Sequence, residues 1–245
     1  MSVETTDSPS ISVIVPVRNE AENIAPLVAE IAAALAGRPF EVIYVNDGST
    51  DGTEAELKRL KSLHPWLRQL RHARSCGQSA ALRTGMAAAR APVIVTLDGD
   101  GQNDPAFLPK LVAALEQGAP RLGLVAGQRV GRKATAFKKF QSRFANAVRG
   151  AILRDGTRDS GCGLKAFPRD IGLALPYFDG LHRFLPALIR REGRDIGYVD
   201  VVDRPRQHGV SNYGFWDRLW IGILDLCGVW WLIRRKKRVP EISEE

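Results

Sequence analysis

Four short apolar runs, ISVIVP (11–16), FEVIYVN (40–46), PVIVTLD (92–98) and LGLVAG (122–127), recur along the chain with helical stretches between them. The runs are β-branched and continuous rather than alternating, as strands are when helices cover both faces of a parallel sheet. The intervening segments 24–37, 53–63, 79–90 and 105–118 space their apolar residues at three and four. This alternation predicts a doubly wound α/β sheet. Gly37 and Gly118 stand where a left-handed residue would end a helix, and Asp51 and Asp104 where a side chain would cap the next one. Pro26 would fall inside the first helix if it began at Glu20, so a start near Asn23 or a kink is expected. After residue 128 come a basic helical stretch (133–153), a glycine-rich turn, a short helical region, a strand near 196–202 and an amphipathic tail.

At 245 residues and 44% hydrophobic, the chain suits one globular domain. Its net charge of +8 favours anionic partners without choosing among nucleic acid, membrane and phosphorylated ligands. Cys76, Cys162 and Cys227 lie far apart with no CxxC pair, as expected of a reducing compartment and not of a zinc site. The polar first ten residues do not read as a secretory signal, so the body is expected in the cytoplasm. The tail segment Leu219 to Ile233 is too short to span a bilayer and carries Asp225.

Ligands of parallel α/β sheets bind at the carboxyl ends of strands. Three such ends here are polar or acidic: VPVRNE, VNDGSTDGT and LDGDGQNDP. Asp98 and Asp100 flank a glycine, so one tight turn could aim both carboxylates at a point, with Gln102 adding a neutral oxygen. Mg²⁺ and Mn²⁺ favour such hard donors and commonly take one or two carboxylates plus substrate phosphate. Asp, Gly and Asn are also ordinary turn residues, and an isolated DxD would read as a turn. Three acidic strand ends together favour a ligand site. The four histidines show no ligand spacing and read as surface or packing residues, with His208 the exception.

The ordered set VPVRNEAENI, VNDGSTDGT, LDGDGQNDP, DSGCGLKAF and RQHGVSNYG resembles the family 2 glycosyltransferases of GT-A fold, over roughly residues 10 to 215. Within them it is most similar to the polyprenyl-phosphate glycosyltransferases of the dolichol-phosphate mannose synthase type. The resemblance implies a Rossmann-like, mostly parallel sheet flanked by helices. It also implies a nucleotide-sugar donor, Mn²⁺ or Mg²⁺, and a polyprenyl-phosphate acceptor. Pro16, Arg18 and Glu20 match the first nucleotide-binding loop, where relatives usually have tyrosine at the Arg18 position. Asp47 matches the base-recognising aspartate, and Asp98, Asp100 and Gln102 the metal and diphosphate motif, with Asp100 and Gln102 as direct ligands. Arg206 and Ser211 match a loop that closes on the donor diphosphate, with Asn212 where a cation is frequent. Arg129, Lys138 and Ser142 fall where the acceptor phosphate binds, and Asp159 falls near the sugar and acceptor.

A lipid monophosphate, with a second pKa of about 6, is already largely anionic at neutral pH and needs no dedicated base. One in-line displacement with inversion is expected, Asp98, Asp100, Arg206 and Asp159 forming its catalytic group. Asp47 would serve a uracil or a guanine, and Lys165 and Arg18 would complement an acidic sugar, so GDP-mannose, UDP-glucose and UDP-uronic-acid donors all stay open. The expected organisation is a disordered terminus (1–10), a GT-A domain (11–214) and an amphipathic, membrane-interface helix with a basic tail (215–245). That tail would attach the enzyme peripherally to the cytoplasmic face of an anionic membrane. The rival readings are a family 2 enzyme acting on a polysaccharide or glycolipid hydroxyl, which would need a general base, and a basic nucleic-acid-binding protein, which lacks any supporting motif.

Overall fold

The computed structural model describes residues 8–130, 147–205 and 215–235, with only the backbone for 215–221. Seven strands form one sheet: β1 (Ile11–Val17), β2 (Phe40–Asp47), β3 (Leu67–His72), β4 (Val93–Thr96), β5 (Leu122–Arg129), β6 (Lys165–Pro168) and β7 (Asp195–Val201). Their spatial order is β3-β2-β1-β4-β6-β5-β7, with β6 antiparallel to both of its neighbours and the other pairings parallel. The helices are α1 (Ala21–Ala34), α2 (Thr53–Leu63), α3 (Gln78–Ala88), α4 (Leu108–Gln117), α5 (147–153), α6 (Arg169–Ala174), α7 (Leu181–Arg191) and α8 (Phe215–Arg234). The mostly parallel α/β sheet expected from the sequence is therefore present.

Both faces of the central strands are buried. Val13, Val15 and Val17 of β1 join Ile24, Leu27 and Ile31 of α1 in one cluster, while Ile14 joins Leu82 and Met86 of α3 in the other. This two-sided burial explains the uninterrupted apolar runs. At the amino ends of the strands a polar network is buried instead. Glu41 of β2 accepts from Ser12 Oγ at 2.6 Å, Arg68 Nη1 at 2.6 Å and the Arg90 amide at 2.7 Å. Arg68 also donates to the Ala88 carbonyl, so the network ties the end of α3 to three strands.

Helix ends differ in detail from the sequence reading. α1 begins at Ala21 and holds Pro26 inside rather than starting near Asn23. Gly37 is left-handed at φ +83°, whereas Gly118 is not, with φ −91°. Asp104 caps the 3₁₀ turn Pro105–Phe107 by accepting from the Ala106 amide at 2.9 Å. The residue capping α2 is Gly52; Asp51 accepts instead from the amides of Thr53 and Ala21, joining the starts of α1 and α2. Of the expected basic helix 133–153, residues 147–153 are helical and 131–146 lie outside the described residues.

The tail helix α8 packs on α7 through Val229, Leu226 and Leu232. Its outward side is also apolar: Leu224 is 71% exposed and Trp231 52%, beside Ile223 and Trp230. No helix among the described residues is long and apolar enough to cross a membrane.

Burial raises the Glu41 pKa, yet the hydrogen bonds from Ser12 and Arg68 outweigh it and leave the carboxyl below the usual glutamate range. A depressed folded pKa contributes stability that is present above the unfolded value and lost as pH falls through the folded one. Glu41→Ala is expected to cost roughly 2–4 kcal/mol in urea unfolding at pH 7, because it strands the Arg68 charge. The gap to wild type should narrow below about pH 4.5.

Candidate functional site

The sheet reverses direction at β1. The chain moves outward to β2 and β3 on one side and returns to β4 on the other, so the ends of β1 and β4 flank a crevice where sheets of this kind bind ligands. β4 runs out into Leu97-Asp98-Gly99-Asp100 at that point. A Cβ on Gly99 would stand 2.3 Å from Val17 Cγ1, so glycine is what lets this turn fold against β1. Asp100 accepts from the Gln102 amide at 3.1 Å, the Asp98 amide donates to Asn103 Oδ1 at 3.1 Å, and Asp98 Oδ1 accepts from Gln78 Nε2 at 3.0 Å. Across the crevice a Cβ on Gly163 would meet Asp98 Oδ2 at 2.3 Å, so the glycine brings backbone against the carboxylate.

Asp98 is electrostatically strained. Burial, then the neighbouring charge of Asp100, pushes its pKa up to about 6, against the pull of Lys165 and Arg129. Lys165 of β6 is 4% exposed and donates to the Cys162 carbonyl; burial draws its pKa down although Asp98 and Asp159 oppose the shift. Burial likewise raises the Cys162 thiol to about 11. Two carboxylates on one turn that repel each other, Asp98 and Asp100, form a hard-oxygen donor pair to which the amide side chain of Gln102, two residues on, could add a neutral oxygen. It fits a divalent ion such as Mn²⁺ or Mg²⁺, whose charge would relieve the repulsion.

Arg129, at the end of β5, is held by carboxylates on two sides. Its Nη2 donates to Asp159 Oδ1 at 2.7 Å, its Nε to Asp159 Oδ2, and its Nη1 to Asp203 Oδ2 at 3.1 Å. Asp203 also accepts from Asn103, and Arg204 pairs with Asp104 at 2.7 Å, so the segment after β7 braces the acidic turn. The structure thus brings together Asp98, Asp159 and Arg129, which the sequence had placed in separate motifs.

The first two loops are joined by Asn19, left-handed at φ 57°, whose Oδ1 accepts from the Thr50 amide at 2.8 Å. Pro16 lines the crevice, Glu20 accepts from Asn23 Nδ2, and Arg18 is exposed. Asp47 departs from expectation. Its Oδ1 accepts from His72 Nδ1 at 2.7 Å and the Cys76 amide at 2.8 Å, and its Oδ2 from Ser75 Oγ at 2.7 Å and the Gly77 amide at 2.9 Å. These four donors fill the acceptor sites of a carboxylate, so Asp47 holds the 73–77 loop and has no acceptor site left for a base in this arrangement. Burial raises its pKa, but the Cys76 amide and His72 bonds outweigh that and lower it. Arg206, Ser211, Asn212, His208, Lys138 and Ser142 lie outside the described residues.

Beside Asp98 opens a cavity of about 240 Å³, on the scale of one sugar ring, to which Pro16, Gln78, Lys165, His182 and Arg183 contribute. Gln78, His182, Arg183 and Asp203 were missed in the sequence. The run LHRFLPAL reads as an ordinary helix, and nothing local shows that its first turn faces a strand end about 85 residues earlier in the chain.

Since the folded pKa of Asp98 lies above its unfolded value near 3.8, its ionisation opposes folding, increasingly from about pH 4 and fully above about pH 6. Asp98→Asn is therefore expected to raise the thermal midpoint at pH 8 and to leave it nearly unchanged at pH 4. A variant less stable than wild type at pH 8 would show that the carboxylate is instead stabilised by its neighbours.

Residues 12–172 match the model of a family described as glycosyl transferase family 2. A dodecaprenyl-phosphate galacturonate synthase of Rhizobium johnstonii is 36% identical over 241 residues, covering 96% of this chain and 70% of the relative. An undecaprenyl-phosphate 4-deoxy-4-formamido-L-arabinose transferase of Pectobacterium carotovorum is 33% identical over 216 residues, covering 85% of this chain and 64% of the relative. The chain thus spans 64% and 70% of the length of these two relatives. Among solved structures, a glucosyl-3-phosphoglycerate synthase of Mycobacterium tuberculosis, in complex with Mn²⁺, UDP and phosphoglyceric acid, superposes with a TM-score of 0.68. The identity is 21%, with 94% of this chain and 80% of that one covered. A mannosyltransferase of Pyrobaculum calidifontis in complex with GDP-mannose and Mn²⁺ gives a TM-score of 0.66 at 24% identity, covering 95% of this chain and 66% of that one. These structures share the fold, and the match over most of the sheet places the chain in glycosyl transferase family 2.

Proposed function

We propose that this protein transfers a sugar from a nucleoside-diphosphate donor to a polyprenyl phosphate, with inversion and with a divalent ion at Asp100 and Gln102. The observation that carries the reading is the turn bearing Asp98 and Asp100 at the reversal point of the sheet, beside a cavity of sugar size. The two relatives named above supply the acceptor class, since both act in name on a polyprenyl phosphate. Their sugars differ, one a uronic acid and the other a formamido pentose, and so leave the donor open.

The donor nucleotide lies along the ends of β1 and β2, over Pro16, Arg18 and Glu20. Asp47 acts on the base through the 73–77 loop that it fixes. Arg206 and Ser211 are assigned to the diphosphate by their motif, as Lys138 and Ser142 are to the acceptor phosphate. Arg129, held at the end of β5 by Asp159 and Asp203, is assigned to the same anion by its motif. The ion, when bound, would neutralise charge gathering on the departing nucleoside diphosphate. No side chain need deprotonate the acceptor, because a phosphate monoester arrives charged. Asp98 fixes the turn through its contacts with Gln78 and Asn103.

The outward face of α8 is proposed to lie in the membrane interface, which makes the attachment peripheral. Arg234 stacks over Trp230 at 4.3 Å and Arg235 over Trp231 at 5.4 Å, so each aromatic is paired with a cation suited to anionic headgroups.

Incubating the full chain with undecaprenyl phosphate, Mn²⁺ and labelled UDP- or GDP-sugars should give a lipid-extractable product, reduced about 100-fold or more in Asp100→Asn. Product on a sugar hydroxyl with none on the lipid phosphate would instead support the hydroxyl-acceptor reading. Trp230→Ser with Trp231→Ser should abolish sedimentation with phosphatidylglycerol vesicles; undiminished sedimentation would remove α8 from the interface.

A further inference from the structure

The cavity beside Asp98 has a charge that the proposed reaction leaves unused. Lys165 and Arg183 both line it, and both act electrostatically on His182, so the two cations address one space. Lys165 is almost wholly buried, and its one hydrogen-bond acceptor among the described residues is the neutral Cys162 carbonyl. The Arg183 guanidinium forms no hydrogen bond or ion pair among the described residues, although Asp225 of α8 acts on it through space. The carboxylate lining the same cavity is Asp98, already shared with Gln78 and repelled by Asp100. A buried cation such as Lys165 is costly unless paired and hydrogen-bonded, Arg183 is half-buried beside it, and a neutral sugar would supply hydroxyls but no counter-charge to either.

His182 adds a neutral contact. Ser79 Oγ accepts from the Gly180 amide at 3.0 Å and shares a hydrogen bond of 2.8 Å with His182 Nδ1, which orients the ring. Burial drives the His182 pKa down to about 3, so the ring stays uncharged and serves as a hydroxyl donor or packing wall.

We propose that this cavity receives the donor sugar, that the sugar carries a carboxylate, and that Arg183 and Lys165 hold that carboxylate. The donor is then a nucleoside-diphosphate uronic acid. Arg183, with an unshared planar fork, supplies the bidentate contact, and Lys165 a point charge at the cavity floor. Arg18, the other cation that the sequence suggested for an acidic sugar, is exposed on the first loop and does not line this space. The inference rests on the donor site proposed above.

The test is calorimetric titration of the full chain, with Mn²⁺, using two matched pairs: UDP-galacturonate against UDP-galactose, and GDP-mannuronate against GDP-mannose. The uronate of one pair is expected to bind about tenfold or more tightly than its neutral partner, as a charged hydrogen bond would give. Arg183→Gln should erase that difference and Arg183→Lys should restore part of it, each variant checked for an unchanged thermal midpoint. If both members of a pair bind wild type equally, the inference fails while the donor site stands, and this result needs no variant. A uronate preference that survives Arg183→Gln, or equal weakening of UDP alone in that variant, would also overturn it, the latter assigning Arg183 to the diphosphate. If no nucleotide sugar binds at all, the transferase reading falls with it.

Discussion

Two carboxylates on one glycine turn, Asp98 and Asp100, sit where the sheet reverses, and most of the surrounding structure answers that placement. Like charges so close in a poorly hydrated crevice raise the pKa of the inner one. The fold responds with Lys165 and Arg129 nearby and with backbone brought against Asp98 by Gly163. The segment after β7 adds Asp203 and Arg204, which hold the far side of the turn. A site held this way keeps unfavourable charge in the free protein, a common trade of stability for function.

The opposite end of the sheet shows the contrast. There Glu41 is also buried, but Ser12, Arg68 and the Arg90 amide all donate to it and its pKa falls. Burial alone therefore does not mark function. What separates the two carboxylates is how many direct hydrogen bonds the protein gives each: three donors reach Glu41, whereas Gln78 reaches Asp98 beside the like charge of Asp100. Asp47 belongs with Glu41 by this measure, since four protein donors occupy it.

Much of this was legible in the sequence. The runs at 11–16, 40–46 and 122–127 became β1, β2 and β5 because their apolar continuity reports burial on both faces. β3 and β6 were not legible. Leu67–His72 is an edge strand with alternating polar residues, and Lys165–Pro168 is four residues long inside a glycine-rich turn. The tail was found as a helix, but its second apolar side emerged only from which residues α7 covers.

The sequence by itself determined the parallel α/β class, the acidic strand ends and the turn of Asp98 and Asp100, because periodicity and local turn chemistry are encoded within a few neighbouring residues. Only the tertiary structure decided that Arg129 belongs to Asp159 and Asp203, that Asp47 is occupied, and that Arg183 and Lys165 share a cavity. Those outcomes depend on distances between segments that are not neighbours in sequence, which are set by strand order and helix packing rather than by any local pattern.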